Sequence, residues 1–161
     1  LQHFVNYGMN EGRQACSDFN VTSYRLQYAD LRNAYGGQQK SYYEHYMRYG
    51  KKEGRVATGC TMVQGATNIY NGVDYSSVYD YYYYVSNNVD VKKAYGNDDV
   101  AVLQHFVNYG MKEGRCAKES FAVQSYRNRY ADLQAAYGDN LPAYYMHYIS
   151  YGQNEGRSGV Q

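Results

Sequence analysis

One eleven-residue frame, H-[FY]-x-x-Y-G-x-x-E-G-R, occurs four times in this chain, starting at His3, His45, His105 and His147. The first and third copies, HFVNYGMNEGR and HFVNYGMKEGR, are nearly identical. A segment upstream of the frame also recurs, as SYRLQYADLRNAYG from Ser23, SYRNRYADLQAAYG from Ser125 and YVSNNVDVKKAYG from Tyr84. Repeats at this spacing mean stacked supersecondary units that share a core. They also favour a binding array, stalk or anchor over an enzyme, because catalytic constellations are seldom repeated in tandem.

Closing each unit at the arginine of its frame divides the chain into a partial unit at 1–13, complete units at 14–55, 56–115 and 116–157, and the start of another at 158–161. The second and fourth units have 42 residues each and align without a gap, while the third has 60. The excess of 18 residues falls at about 56–74, where Gly, Thr, Ser and Asn are frequent and helical periodicity is missing. This stretch is expected to be an ordered loop with a short extended piece, packed on the hairpins. The larger period is 102 residues, and the chain reads as a fragment of a longer array that starts in mid-unit.

The spacing predicts helices. Tyr24, Tyr28, Leu31 and Tyr35 recur at i, i+4, i+7 and i+11, one face of a helix, with Ser23 as its N-cap and Gly36 after its end. Tyr42, His45, Tyr46 and Tyr49 form a second such face, stopped by Gly50. The fourth unit repeats both faces, with Asp139 or Asn140 as a cap and Pro142 in the first turn, and Asp98 or Asp99 caps the matching helix of the third unit. The expected fold is all-α, a short solenoid of antiparallel hairpins with helices near 23–35, 39–49, 81–95, 99–109, 125–137 and 141–151.

Composition sets the terms of the core. Leu, Ile, Val and Phe make up 26 of 161 residues, a level that by itself would suggest disorder. A formal net charge of +1 makes self-repulsion weak, and 24 tyrosines replace the missing aliphatic area. A tyrosine core suits thin units in which each hydroxyl reaches water or a carbonyl. Balanced charge without a basic stripe argues against nucleic acid as the partner. No stretch approaches the ~18 apolar residues of a membrane span, so membrane insertion is not expected either.

The recurring polar residues have a structural reading. His3, His45, His105 and His147 are 42, 60 and 42 residues apart, with no second ligand type at i+3 or i+4, so each imidazole is expected to be buried in its own unit rather than on a metal. Asp30, Asp90 and Asp132, with Arg55, Arg115 and Arg157, fit a carboxylate–guanidinium clamp at each turn. The glycine between Glu and Arg would take a positive φ there. No nucleophile elbow, metalloprotease helix or phosphate loop occurs, and neither catalytic residues nor a cofactor is expected.

Cys16 and Cys60 lie three and five residues after successive frame arginines, which places them near one edge of adjacent units. A Cys16–Cys60 bridge is expected, with Cys116 left single by the cut point, in an oxidising extracellular setting. Three buried free thiols are the alternative.

The segment YYYYVSNNVDVKKAYGNDDVAVLQHFVNYGMKEGR from Tyr81, with NGVDYSSVYDYYYY and YRNRYADLQAAYG, resembles the tyrosine- and glycine-rich helical repeats of secreted clostridial cell-wall hydrolases and other surface proteins of gut Firmicutes. Val89 stands where such repeats often have proline. The resemblance implies secretion and residence at the cell wall, with no defined ligand. The function expected is a noncatalytic module that holds a larger secreted protein on peptidoglycan or another polysaccharide. Tyr43, Tyr82, Tyr83 and Tyr145 are the candidate stacking rings, because the Tyr42–Tyr43, Tyr144–Tyr145 and Tyr81–Tyr84 clusters exceed what one helix face can bury. A structural stalk or self-assembling filament is the alternative, and an adhesin for host protein a third.

Overall fold

A computed structural model describes residues 1–160. It is predominantly α-helical, and one helical triplet recurs. α1 (Val21–Gln27), α2 (Ala29–Tyr35) and α3 (Gln39–His45) are followed by a π-helical turn at Tyr46–Gly50. A β-hairpin, β1 (Ile69–Tyr70) paired antiparallel with β2 (Val73–Asp74), precedes α4 (Tyr81–Asn87), α5 (Val89–Tyr95), α6 (Asp99–His105) and the turn Phe106–Gly110. The last triplet is α7 (Val123–Arg129), α8 (Ala131–Tyr137) and α9 (Leu141–His147), with its turn at Tyr148–Gly152. The first frame contributes only the π turn Phe4–Gly8.

The chain divides into two compact units, Leu1–Ala66 and Thr67 onward, with the boundary inside the insertion of the third repeat. In the first unit Phe19, Tyr24, Leu31, Tyr42 and Tyr43 form the core, with Phe4 and Tyr46 packed against it. In the second, Tyr79, Tyr84, Leu103, Phe106, Phe121, Tyr126, Tyr144 and Tyr145 are all almost fully buried. Tyrosine thus does the work of leucine, and nearly every buried hydroxyl finds an acceptor. Tyr42 donates to Gly36 O at 2.8 Å, Tyr144 to Gly138 O at 2.7 Å, and Tyr145 to Arg115 O at 2.8 Å. In the third repeat Val102 stands where the others have Tyr42 and Tyr144. There the carbonyl of Gly96 is reached instead by Tyr81, from the neighbouring helix, at 3.4 Å.

The first helix of each repeat is not the single rod over 23–35, 81–95 and 125–137 that the apolar spacing predicts. It breaks at Tyr28, Asn88 and Tyr130, whose backbones are extended or nearly so. The cause lies in tertiary contacts. The backbone N–H of Val56 donates to the Tyr28 hydroxyl at 2.8 Å, and that of Ser158 to the Tyr130 hydroxyl at 2.7 Å. Asn88, the counterpart in the third repeat, accepts from Arg115 Nη1 at 3.0 Å. The break turns the next helix so that Asp30, Asp90 or Asp132 stands in its first turn, facing the frame arginine. The caps also shift. Asn20, not Ser23, starts α1 and accepts from Ser23 N at 2.9 Å, while the buried Ser23 Oγ accepts from Cys60 N. Asp98 caps α6 as expected.

The insertion is ordered in two pieces. In the first unit Val63 is buried, and the Arg32 guanidinium donates to Arg25 O, Leu26 O, Gln64 O and Gly65 O. In the second, the hairpin turns at Asn71 and Gly72, both at positive φ, as a two-residue Asn-Gly loop requires. Among the described residues no helix is long and apolar enough to cross a membrane.

Candidate functional site

Each repeat builds one cluster around its frame. At its base the hydroxyl of Tyr24 lies 2.9 Å from His45 Nδ1, Tyr84 lies 3.1 Å from His105 Nδ1, and Tyr126 lies 2.9 Å from His147 Nδ1. Burial pushes all three phenols well above their ordinary pKa, so each keeps its proton beside the imidazole. In the last repeat the other ring nitrogen, His147 Nε2, is 3.9 Å from Glu155. The frame glycine makes room for the Tyr–His pair. A Cβ on Gly50, Gly110 or Gly152 would collide with the hydroxyl of Tyr24, Tyr84 or Tyr126 respectively.

His45, His105 and His147 are partly enclosed, the His147 side chain being only 9% exposed, while His3, in the partial first repeat, is exposed where burial was expected. The imidazoles of His45, His105 and His147 stay within their own repeats, held by the tyrosine of α1, α4 or α7.

The guanidinium clamp forms with both carboxylates of the turn. Arg115 Nε meets Glu113 at 2.5 Å, while Nη1 and Nη2 grip the two oxygens of Asp90 at 2.9 and 2.8 Å. Arg157 does the same with Glu155 at 2.6 Å and Asp132 at 3.0 and 2.7 Å. Arg55 repeats it with Glu53 and Asp30 and lies 4.7 Å above the Tyr28 ring, as Arg157 lies 4.8 Å above Tyr130. The hydrogen bonds from Arg115 and Arg157 hold the Asp90 and Asp132 carboxyls below their usual range. The glycine between Glu and Arg takes φ near +70° in every frame, a conformation open to glycine, and the arginine N–H then closes the turn onto the carbonyl of the Tyr-Gly glycine.

Above this cluster stands a ring that the periodicity misplaces. The tyrosine before the frame glycine was expected on the buried face, as i+7 from Tyr42 or Tyr144. The π turn rotates it outward, and Tyr7, Tyr49, Tyr109 and Tyr151 are 58%, 55%, 58% and 61% exposed. Each lies against its own histidine, with centroids 5.3, 5.7, 5.6 and 5.7 Å apart. An exposed tyrosine thus lies against its own histidine in all four frames, and in the three complete repeats that imidazole is itself held by a buried tyrosine.

The tyrosines expected to stack on a ligand divide. Tyr43 and Tyr145 are buried, their hydroxyls bonded to Arg13 O and Arg115 O, so neither is open to a ligand. Their rings join one frame to the next repeat through Phe4–Tyr43 and Phe106–Tyr145 contacts of 5.7 and 5.6 Å. Tyr82 is exposed, and Tyr83 is half-buried with its hydroxyl 3.8 Å from Cys116 Sγ. The recurrence of the Tyr-Gly pair was the signal for the exposed set; its outward direction follows from the π turn.

Cys16, Cys60 and Cys116 are free thiols, and the expected Cys16–Cys60 bridge is not formed. The register explains why. The residue 102 positions after Cys16 is Lys118, and both open the same tight turn, Cys16–Phe19 and Lys118–Phe121. Cys60 belongs to the insertion, where its N–H is tied to Ser23 and its thiol to Met62 O at 3.1 Å.

No protein-family model matches the chain, and searches of curated proteins and of solved structures return no match.

Proposed function

We propose that this chain is a noncatalytic module of tandem helical hairpins, arrayed as a short solenoid, that attaches a larger secreted protein to a cell-wall polysaccharide. One observation carries the reading. Every frame presents an exposed tyrosine packed against its own histidine. A flat ring with a hydroxyl, next to fixed polar groups, suits the apolar face and hydroxyl rim of a sugar. Repetition turns weak single sites into useful avidity.

The recurring Tyr–His pair supports a structural role rather than catalysis. Its phenol is buried against the frame glycine, which leaves no space for a substrate at the hydroxyl. Secretion and cell-wall residence rest on the likeness to clostridial surface repeats and not on a disulfide. Co-sedimentation of the chain with purified peptidoglycan, starch and mucin tests the proposal. Retention by a polysaccharide, lost on free glycan competition, is expected. Retention by none of the three would sink the reading and leave the stalk or adhesin roles.

A further inference from the structure

A second tyrosine shares each frame histidine. Tyr35, Tyr95 and Tyr137, the last residues of α2, α5 and α8, lie 6.1, 5.4 and 6.0 Å from the imidazoles of His45, His105 and His147. These are ordinary contact distances between aromatic rings. Each imidazole therefore joins a ring from the preceding helix to the exposed ring of the π turn. In the second and fourth repeats the helix ring is also met edge-on, at 5.5 Å, by the buried Tyr42 or Tyr144. The third repeat has Val102 in that place, yet Tyr95 stays on His105 and is 37% exposed. Core packing alone does not account for this ring.

Charge at the neighbouring positions does not recur. Between the Tyr-Gly pair and the frame glutamate stand Lys51–Lys52, Met111–Lys112 and Gln153–Asn154. In the helix before, the matching pairs are Arg32–Asn33, Lys92–Lys93 and Gln134–Ala135, so the fourth repeat carries no ionised side chain at any of these positions. The charges that do recur are bonded to one another, because each frame arginine holds both its glutamate and the helix aspartate. An anionic ligand would call for a recurring free cation, and a cationic one for a recurring free carboxylate. What recurs instead is two tyrosine rings with their hydroxyls and one imidazole.

We infer that each complete repeat binds an uncharged sugar at this pair of rings, with Tyr35, Tyr95 and Tyr137 as binding residues beside the frame tyrosines, and that the array selects neutral over ionised glycans. The inference rests on the glycan reading above and narrows it. Tyrosine rings suit the apolar face of a pyranose, while their hydroxyls and the imidazole suit its hydroxyl rim. Among the described residues no helix ring accompanies His3 and Tyr7, so the first frame holds an incomplete copy of the site.

Isotope-labelled tyrosine rings in the intact chain, observed by NMR and assigned by single substitutions, report each repeat separately. The probes are maltoheptaose and chitohexaose, which are neutral, and oligogalacturonate, which is anionic, each titrated at low and high salt. At least one neutral probe is expected to move the signals of Tyr35 with Tyr49, Tyr95 with Tyr109 and Tyr137 with Tyr151, leaving Tyr7 in place. Its affinity should not change with salt, and oligogalacturonate should move none of these rings. Tyr95→Ser, at the most exposed of the three helix rings, should weaken the third-repeat site at least about tenfold with melting temperature nearly unchanged. Preference for oligogalacturonate, affinity that falls steeply with salt, or shifts in the four frame tyrosines without the helix rings would overturn the inference and leave glycan binding standing. So would silence toward all three probes from a chain that co-sediments with a polysaccharide. Failure of both experiments removes the glycan reading as well.

Discussion

The hydroxyl of Tyr84 occupies the space that a Cβ on Gly110 would need, and the same relation holds for Tyr24 with Gly50 and Tyr126 with Gly152. The glycine is conformationally helical, so alanine there would ordinarily gain about 1 kcal/mol of helix propensity. Here the opposite sign is expected. Gly110→Ala must displace a buried phenol from His105, at a cost of about 1–3 kcal/mol in urea denaturation. Adding Tyr84→Phe removes the colliding atom, so the double variant should lose less than the two single losses together.

Tyr79 gives the reverse case. Its counterparts are Phe19 and Phe121, and its own hydroxyl is buried with no hydrogen-bond partner. Deleting an unsatisfied buried hydroxyl while keeping the ring should stabilise the second unit. Tyr79→Phe is expected to raise stability by about 1 kcal/mol, read as a higher denaturation midpoint at unchanged slope. A loss of stability would mean that the hydroxyl has a partner.

The guanidinium clamps sit at the surface, where solvent screens each ion pair. Arg157→Ala is expected to lower the melting temperature only slightly, through loss of the clamp and exposure of the Tyr130 ring. Arg157→Lys should recover little of this, because an ammonium cannot grip Asp132 with two parallel N–H bonds. Full recovery by lysine in thermal melts would show that charge alone matters.

Acid should weaken the fold in two stages. Burial, aided by the Arg115 charge, depresses the His105 pKa, so the unfolded chain binds the extra proton first. Stability from this group is intact above its unfolded value of about 6.5 and declines as pH falls below that. Asp90 and Asp132, depressed by their arginines, add a loss only as pH falls below the ordinary aspartate range near 4. Melting temperatures of the parent and His105→Gln from pH 8 to 3 test this. The variant should show a shallower slope between pH 7 and 5, and an equal slope would reject the assignment.

If the exposed frame tyrosines bind glycan, Tyr49→Ser, Tyr109→Ser and Tyr151→Ser should each weaken retention on the polysaccharide that holds the parent chain. The triple variant should lose far more than any single one, as multivalent binding requires, with melting temperature nearly unchanged. Tyr43→Ser is the contrast: it should unfold the first unit before it reports on binding, because that ring is in the core.

Much of the architecture was legible in the chain. The recurrence of the frame and the spacing of Tyr42 from His45 were enough for the helices, and the E-G-R spacing for the clamp with its positive-φ glycine. What the spacing misjudged was direction. A 3.6-residue period places Tyr49 and Tyr151 inward, and it runs α1 into α2 without a break. The two errors have different sources: a hydrogen bond across the fold, from Val56 N–H to the Tyr28 hydroxyl, accompanies the break, while the local i→i+5 bonding of the π turn shifts the helix phase. Crowding of tyrosines in the sequence does not distinguish Tyr145, sealed against Arg115 O, from Tyr151, left in solvent.

By itself, then, the sequence determined the repeat, the helical class and the partners within each turn, because these depend on local spacing and on residues that recur together. Only the tertiary structure decided which tyrosines are core and which are surface, why the frame needs glycine before its acidic turn, and that the three cysteines stay unbridged. Those outcomes depend on where a hydroxyl can find a carbonyl or an imidazole in three dimensions. Tyrosine is permitted on either side of that boundary, and hydropathy alone does not choose for it.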